Sequence, residues 1–494
     1  MSDGIALHAI LDRFPGARIL CVGDVMLDRF VYGRVERVSA EAPIPILRVE
    51  RQFAMLGGVG NVARNVVALD GQVTLVAAVG DDATGREIEA LAAAEPRLTA
   101  RLVRDATRSS TLKARYLAAG QQLLRADEES SGPLAPAAAA ELVEQVKGAL
   151  PDCDVVVLSD YAKGVLSADL LADVIAAAQA AAKPVVADPK RPDLSAYAGV
   201  QVLTPNQAEL ALATGLPCGS DDEVVEAARQ VMDGSDIAAL LVTRSEHGAS
   251  LVAHEGAVAH LPARALEVFD VSGAGDTVVA TLALALGASA TLEAAAYLAN
   301  AAAGLVVGKV GTAVVGRDEL GAALLSAEVH ESERKVASRE RAAEIVAAWQ
   351  ARGLKVGFTN GCFDLLHPGH LLLLREARAA CDRLVVAINS DASVKRLKGP
   401  DRPVQDEAAR AIVLAGLQVV DLVVVFDEDT PVPLLERLRP DVLLKGGDYT
   451  VDQVVGAEVV RAYGGEVRVT GHMAGHGSSR LIARMAASPG KVAD

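Results

Sequence analysis

Short apolar runs, each closed by a polar or glycine-bearing corner, recur along the first two thirds of the chain. Residues 17–25 (ARILCVGDV), 155–160, 185–188, 200–203 and 239–243 are of this kind. Apolar runs of this length bounded by turn residues are the pattern of strands buried on both faces. Spaced by roughly 30 residues, with helix-length segments between, they predict a doubly wound parallel sheet. Two stretches break the rhythm. Residues 111–127 alternate basic and apolar side chains about Gly120, which predicts a hairpin, and the prolines of 42–46 (APIPI) confine that segment to an edge or lid. From 327 to 341 the chain turns charged and loses its strand pattern. Ala342, Ile345, Val346 and Trp349 then recur at helical spacing as far as Gly353. A second α/β pattern follows, with strands at 355–359 and 384–390 and another opening VLLKGGDY at 442. The expected organisation is a domain over 1–330, a linker and amphipathic helix over 331–353, and a second domain over 354–494.

The 494 residues suffice for two or three separate cores. Hydrophobic residues make up 51 % but aromatics only 3 %, so those cores are built from Ala, Val and Leu. A net charge of −16 argues against nucleic acid or an anionic membrane as the main partner. A phosphorylated ligand must then be met by local positive groups. The five cysteines form no CxxC pair and read as thiols of a reducing compartment. The N-terminus has no basic-then-apolar leader, and Glu293, Tyr297 and Asn300 interrupt the Ala-rich stretch 281–307. The expectation is a soluble cytoplasmic protein with neither nucleic acid nor membrane as partner.

The strongest chemical signal lies at 268–286, VFDVSGAGDTVVATLALAL. Gly273, Ala274 and Gly275 let backbone N–H groups converge at the start of an apolar helix, where the concavity and the helix dipole suit an anion. A carboxylate in such a place, Asp276, suits acceptance of a proton from a hydroxyl attacking a phosphoryl group. GxGD alone is also how an ordinary capped glycine turn reads. DVSGAGDT as a whole resembles the signature of the ribokinase-like (PfkB) sugar kinases, which implies that Asp276 is the base and residues 273–275 the anion hole.

Other stretches fit that resemblance. Asp24 and Asp28 (GDVMLDRF) close the first strand, where ligands of open sheets sit, and both are placed to bond sugar hydroxyls or simply to cap a turn. Gly57 and Gly58 (FAMLGGVGN) are implied to be the hinge between lid and body, with Asn61 facing the sugar. Lys113 and Arg115 are expected either to hold a phosphate already on the substrate or to line a solvated hairpin face. Asn206, Gln207, Ala208 and Glu209 follow a strand end. The N-x-x-E spacing puts Asn206 and Glu209 on one helical face, and the resemblance implies that they organise Mg2+ through water. Thr243 to Gly248 (TRSEHG) would form a nucleotide-side loop, and Asn300 with 308–312 (GKVGT) would border the adenine.

The second half carries its own signal, TNGCFDLLHPGH at 359–370. A strand, a glycine turn and H-x-G-H with proline at a first helical position bring His367 and His370 to a helix N-terminus. Imidazole N–H groups and the dipole there suit charge growing on a pentacoordinate phosphorus and on leaving pyrophosphate. No cysteine–histidine cluster accompanies the pair, which argues against zinc. The stretch resembles the HxGH nucleotidyltransferase superfamily, cytidylyltransferase-like branch. Thr359, Asn360, Gly361, Phe363, Lys445, Ser478 and Ser479 are then expected to bind nucleotide. Arg480 departs from the usual Ser-Thr-Thr pattern of that corner. Lys395 and Lys398, in a basic loop (SVKRLKGPDRP), would reach phosphates. VVVFDEDT at 423–430 resembles a phosphatase motif but reads as a plain acidic turn.

The expected fold is therefore α/β, a ribokinase-like doubly wound sheet with a small lid followed by a Rossmann-like HxGH domain. The order of the two halves resembles the bifunctional heptose 7-phosphate kinase/heptose 1-phosphate adenylyltransferases of lipopolysaccharide core synthesis. That resemblance implies two reactions with ATP as co-substrate and Mg2+ as cofactor, sugar phosphates as substrates, a separate heptose bisphosphate phosphatase between the steps, and a homodimer. The alternatives are a fusion acting on another sugar phosphate, such as a fructose 1-phosphate kinase with a cytidylyltransferase, or a half that only binds nucleotide.

Overall fold

The computed structural model describes residues 4–254, 256–263, 268–309, 311–447 and 450–471. The chain divides into two compact units, Met1–Leu324 and Leu325–Asp494.

In the first unit nine strands form one sheet. Its spatial order is Val258–Leu261, Ala249–Ala253, Ala239–Thr243, Val202–Leu203, Val185–Asp188, Val155–Ser159, Arg18–Gly23, Gln72–Val79, Leu98–Arg104. The last seven of these run parallel, and the first two add an antiparallel margin. The continuous apolar runs are explained by burial on both sides: Ile19 and Cys21 enter the core shared with helix Ala274–Gly287, whereas Leu20 and Val22 enter the one shared with helix Ala168–Ala180.

A separate four-stranded sheet has the order Pro45–Gly58, Val25–Val38, Thr111–Ala118, Gln121–Glu128. It contains the expected hairpin about Gly120 and, on its edge, the strand that Pro45 opens. Asp28 lies inside its strand Val25–Val38, not at the end of a body strand. The carboxylate thus belongs to the lid.

The second unit is a six-stranded parallel sheet in the order Val336–Ala337, Leu422–Phe426, Arg383–Asn389, Val356–Gly361, Val442–Lys445, Glu466–Val469. Part of 331–353 belongs to this fold. Val336–Ala337 is an edge strand, and helix Arg339–Ala351, started by the Ser338 hydroxyl accepting the Arg341 N–H, buries Ala342 and Val346 in the core. The basic stretch after Asn389 is not a loop at its start: Ser390 caps a helix, Asp391–Lys398, that buries Val394. Among the described residues no helix is long and apolar enough to cross a membrane.

Candidate active sites

In the first unit the turn after Asp270 is held by that residue's carboxylate, which accepts the N–H groups of Ser272 (2.9 Å) and Gly311 (3.1 Å). Gly273 stands at φ +82° as N-cap of helix Ala274–Gly287, and a Cβ there would come within 3.0 Å of the Asn61 amide. The helix start has no side-chain cap; the Ala274 N–H turns back to the Val271 carbonyl (3.2 Å), and the N–H groups of Gly275 and Asp276 point from the first turn toward an anion position.

Asp276, one turn inside, is almost fully buried. Its Oδ2 accepts the Asn61 amide and its Oδ1 the Tyr161 hydroxyl, both at 2.7 Å. Burial pushes the carboxyl up to about 6, these two donors pull against it, and the Asp28 charge adds to the rise. Asn61, expected to face the sugar, is thus committed to the carboxylate. Asn65 supports it, donating to the Asn61 carbonyl (2.9 Å) and accepting the Thr277 hydroxyl (2.9 Å).

Asp24 is engaged by backbone, the turn-capping alternative for this residue. Its carboxylate collects the N–H groups of Tyr161, Lys163 and Val165 at 2.9, 3.0 and 3.1 Å, and so fastens the loop that carries Tyr161. Asp28 accepts from Arg115 at 2.5 Å. Lys113 faces Asp127 (3.6 Å) and Glu129 (3.8 Å). Gly57 and Gly58 are glycines for contact reasons: a Cβ would meet Asp28 Oδ2 at 2.2 Å and the Asp24 carbonyl at 2.3 Å. Gly58 also adopts φ +59° where the lid strand turns into helix Val59–Ala68.

On the other side of Asp276, Asn206 and Glu209 form a capping box rather than sharing a helical face. Asn206 is the N-cap and accepts the Glu209 N–H, while Glu209 accepts the Asn206 N–H, each at 2.9 Å. The second Glu209 oxygen holds Lys190 at 2.7 Å. Both line a cavity of ≈ 150 Å³ with Asp160, Asp188, Thr243 and Gly275. Asn206, Gln207, Ala208 and Thr243 border a second cavity of ≈ 430 Å³. Gly248, at φ +81°, lets its loop meet the end of strand Val258–Leu261, since a Cβ would strike the Leu261 carbonyl. Asn300 donates its amide to the Pro262 carbonyl (2.9 Å) and so ties two elements together.

Asp188 and Tyr161 were not foreseen as site residues. Asp188, half-buried at its strand end and bonded to the Thr204 hydroxyl at 3.0 Å, has its carboxyl pushed up to about 8 by desolvation first and by Asp276 second. A strand-end Asp after VVA was the one available signal.

In the second unit His367 is the N-cap and Pro368 the first residue of helix Pro368–Ala379, again with no side-chain cap. The two imidazoles stack with centroids 3.8 Å apart. Burial, then the neighbouring His367, lowers His370 to about 4, so it is neutral at pH 7. Phe363, at φ +46°, sets its ring 5.0 Å from that of His370. A Cβ at Gly361 would lie 3.1 Å from the Phe363 ring. Lys445 donates to the carbonyl (2.9 Å) and side chain (3.0 Å) of Asn360, and burial lowers it to about 8. Thr359 is fully buried beside them.

Sequence reading gave no role to the brace behind this site. Arg410, fully buried, donates to the carbonyls of Gln405 (3.0 Å) and Cys362 (2.6 Å) and to Asp391 (2.7 Å). Asp364 takes Arg402 at 2.5 Å and the Val404 N–H at 2.7 Å. The turn at 427–429 is occupied by structural pairs, Asp429 with Arg396 (2.9 Å) and Asp427 with Ser390. Asp448, Ser478 and Ser479 lie outside the described residues.

The pfkB family of carbohydrate kinases matches residues 17–318, and the cytidylyltransferase-like family matches 358–472. The chain is 53 % identical to the bifunctional protein HldE of Paramagnetospirillum magneticum over 98 % of its own length and 99 % of the relative's. It is 54 % identical to that of Rhodospirillum rubrum over 97 % of both, and 54 % to that of a Caulobacter species over 96 % of both. Among solved structures it resembles phosphofructokinase-2 of Escherichia coli, with a TM-score of 0.53 and 22 % identity over 63 % of this chain and 98 % of that one. That likeness concerns the fold. With both family matches in the same order and these full-length relatives, the chain belongs to the HldE family of bifunctional enzymes, a pfkB carbohydrate kinase joined to a cytidylyltransferase-like nucleotidyltransferase.

Proposed function

We propose that the unit ending near Leu324 phosphorylates C1 of D-glycero-β-D-manno-heptose 7-phosphate with ATP, and that the unit after it converts ATP and heptose 1-phosphate to ADP-heptose and pyrophosphate. The observation that carries the reading is the pairing of Asp276 with Asn61 and Tyr161 at an open helix start, in one chain with a stacked histidine pair at another.

In the first reaction Asp276 takes the proton of the C1 hydroxyl as its oxygen attacks the γ-phosphorus of ATP, and ADP leaves. A carboxyl at about 6 is ionised at pH 7 yet basic enough to accept that proton. The N–H groups of 273–275 meet the charge on the transferring phosphoryl group. Asp28 bonds sugar hydroxyls beside the Gly57-Gly58 hinge.

Mg2+ fits the smaller cavity. Its lining offers carboxylate and amide oxygens, and Asp188, whose carboxyl is raised to about 8, is a carboxylate that a cation would stabilise. Among the described residues no three carboxylates, imidazoles or thiolates form a closed cage, which suits an ion held largely by water and substrate phosphates. Glu209, Asn206 and Asp188 would hold it, and it would neutralise charge on the ATP phosphates.

In the second reaction an oxygen of the sugar phosphate attacks the α-phosphorus of ATP. That oxygen is already anionic and requires no base. His367, His370, Lys445 and the start of helix Pro368–Ala379 stabilise the charge passing to pyrophosphate. No residue group assigned here removes the 7-phosphate, so a separate phosphatase acts between the steps. A cytoplasmic homodimer completes the proposal.

The test is ADP release from ATP, Mg2+ and the heptose 7-phosphate, then pyrophosphate release after a bisphosphate phosphatase is added. Asp276→Asn should abolish the first step alone and His370→Ala the second alone. Turnover with other sugar phosphates, or with CTP in place of ATP, but not with these substrates would overturn the assignment. No ATP turnover by either unit would favour a nucleotide-binding module.

A further inference from the structure

Two lysines from different parts of the first unit converge on one carboxylate. Lys163, on the loop that Asp24 fastens, holds Glu129 at 2.8 Å. Lys113, on the lid strand Thr111–Ala118, lies between Asp127 at 3.6 Å and the other Glu129 oxygen at 3.8 Å. Both ammonium-bearing side chains are mostly buried, at 19 % and 16 % exposure, whereas Glu129 is 31 % exposed and follows the lid's edge strand Gln121–Glu128. Lys113 is the register partner of Asp28. The charge of Asp28 reaches both Asp276 and Tyr161. Lys113 thus sits beside Asp28 in the lid sheet, and Lys163 lies two residues from Tyr161, which bonds Asp276.

The Arg115 guanidinium is paired with the buried Asp28. The lysines are suited to the far end of the substrate. They share a carboxylate whose two oxygens present the same paired negative edge as two oxygens of a phosphate monoester. The Glu129 contact is also replaceable: its carboxylate is the more solvated partner, so water can take it up when a stronger anion arrives.

We propose that Lys163 and Lys113 form the clamp for the distal phosphate of the sugar substrate, and that Glu129 occupies the clamp until that phosphate displaces it. Glu129 then acts as a selectivity filter. A neutral sugar cannot compete with a carboxylate for two ammonium groups, and a dianionic phosphate can. Release of Glu129 also frees the end of the lid's edge strand from the body loop when the correct substrate arrives. This inference rests on the sugar-phosphate kinase reading of the first unit.

The experiment measures KM for heptose 7-phosphate, for unphosphorylated heptose and for ATP in Lys163→Met, Lys163→Arg and Glu129→Gln. Lys163→Met should raise KM for the phosphorylated sugar by about tenfold or more, the scale of one lost charge-assisted hydrogen bond, and leave KM for ATP and for the plain sugar unchanged. Lys163→Arg should restore most of the loss. Glu129→Gln should lower KM for the phosphorylated sugar, because the incumbent no longer carries charge. Equal KM increases for both sugars in Lys163→Met would reduce the residue to a structural support. A higher KM for the phosphorylated sugar in Glu129→Gln would overturn the displacement. If the wild type phosphorylates no sugar phosphate at all, the kinase reading itself falls, a result distinct from either of these.

Discussion

Asn61 reaches across 215 residues of chain to donate its amide to Asp276 at 2.7 Å, so a lid-proximal helix sets the basicity of a carboxylate on another helix. The amide favours the ionised form, burial disfavours it, and burial wins. On the proposed mechanism, that balance sets the pH at which Asp276 can accept a proton.

Phosphoryl transfer should accordingly rise with pH through about 6, because only the ionised carboxylate accepts a proton. Removing a donor that stabilises the anion raises the carboxyl further. Asn61→Ala and Tyr161→Phe should each move the acid limb of kcat/KM upward in pH, by half a unit to a unit or so. An unmoved limb would mean that another group titrates.

Stability carries the same signature with the opposite benefit. A carboxyl raised from 3.8 to about 6 costs stability once it ionises in the native state, fully above about pH 6 and not at all below 4. Asp276→Asn should stabilise the fold at pH 8 by on the order of 1–3 kcal/mol and leave it nearly unchanged at pH 4, as read by thermal unfolding at both values.

Adenylyl transfer should show a different profile. His370 stays neutral throughout the range above about 4, so it contributes no limb between pH 5 and 7. Lys445 loses its proton through about 8. The rate should decline above that value, and Lys445→Arg, which cannot deprotonate there, should remove the decline in whatever activity remains.

These features differed in how far the sequence disclosed them. The GAG turn with Asp276 and the pair His367/His370 are local: a few adjacent residues contain the glycines, the helix start and the reactive groups, and the structure keeps them together. The partners of Asp276 come from the lid side and from the loop after strand Val155–Ser159, and nothing in a period or a spacing says where a Tyr161 hydroxyl points. Asn206 and Glu209 could be read in advance, since N-x-x-E before an apolar run is also a capping-box signature; the helical-face reading overlooked that the first residue of such a box lies outside the helix. The strand Val336–Ala337 is too short to leave a pattern amid charged neighbours.

Arg410 was visible only as a charge on a helix, yet it is fully buried and braces three segments around the histidine pair. Arg410→Leu leaves Asp391 and two carbonyls without that partner. It should destabilise the second unit by about 3–5 kcal/mol and lower pyrophosphate release, while ADP release in the first reaction persists. Equal loss of both activities would show that the units do not fold independently.

The helix starts at Gly273 and His367 have no side-chain cap, as at Gly58, Ala135, Pro431 and Gly456, whereas those at Asp82, Ser167, Asn206, Ser220, Thr291, Ser338, Ser390 and Asp406 do. An uncapped start frays, since its first amides must find acceptors in water. On the proposed function, the nucleotide would complete the secondary structure as well as supply the reaction. In that case the amide hydrogens of Gly275, Asp276 and Gly369, which precede the first helical hydrogen bonds donated by Thr277 (3.0 Å) and His370 (2.9 Å), should exchange readily in the empty enzyme and slowly once ATP is bound, and both helix starts are then firmest while substrate is present.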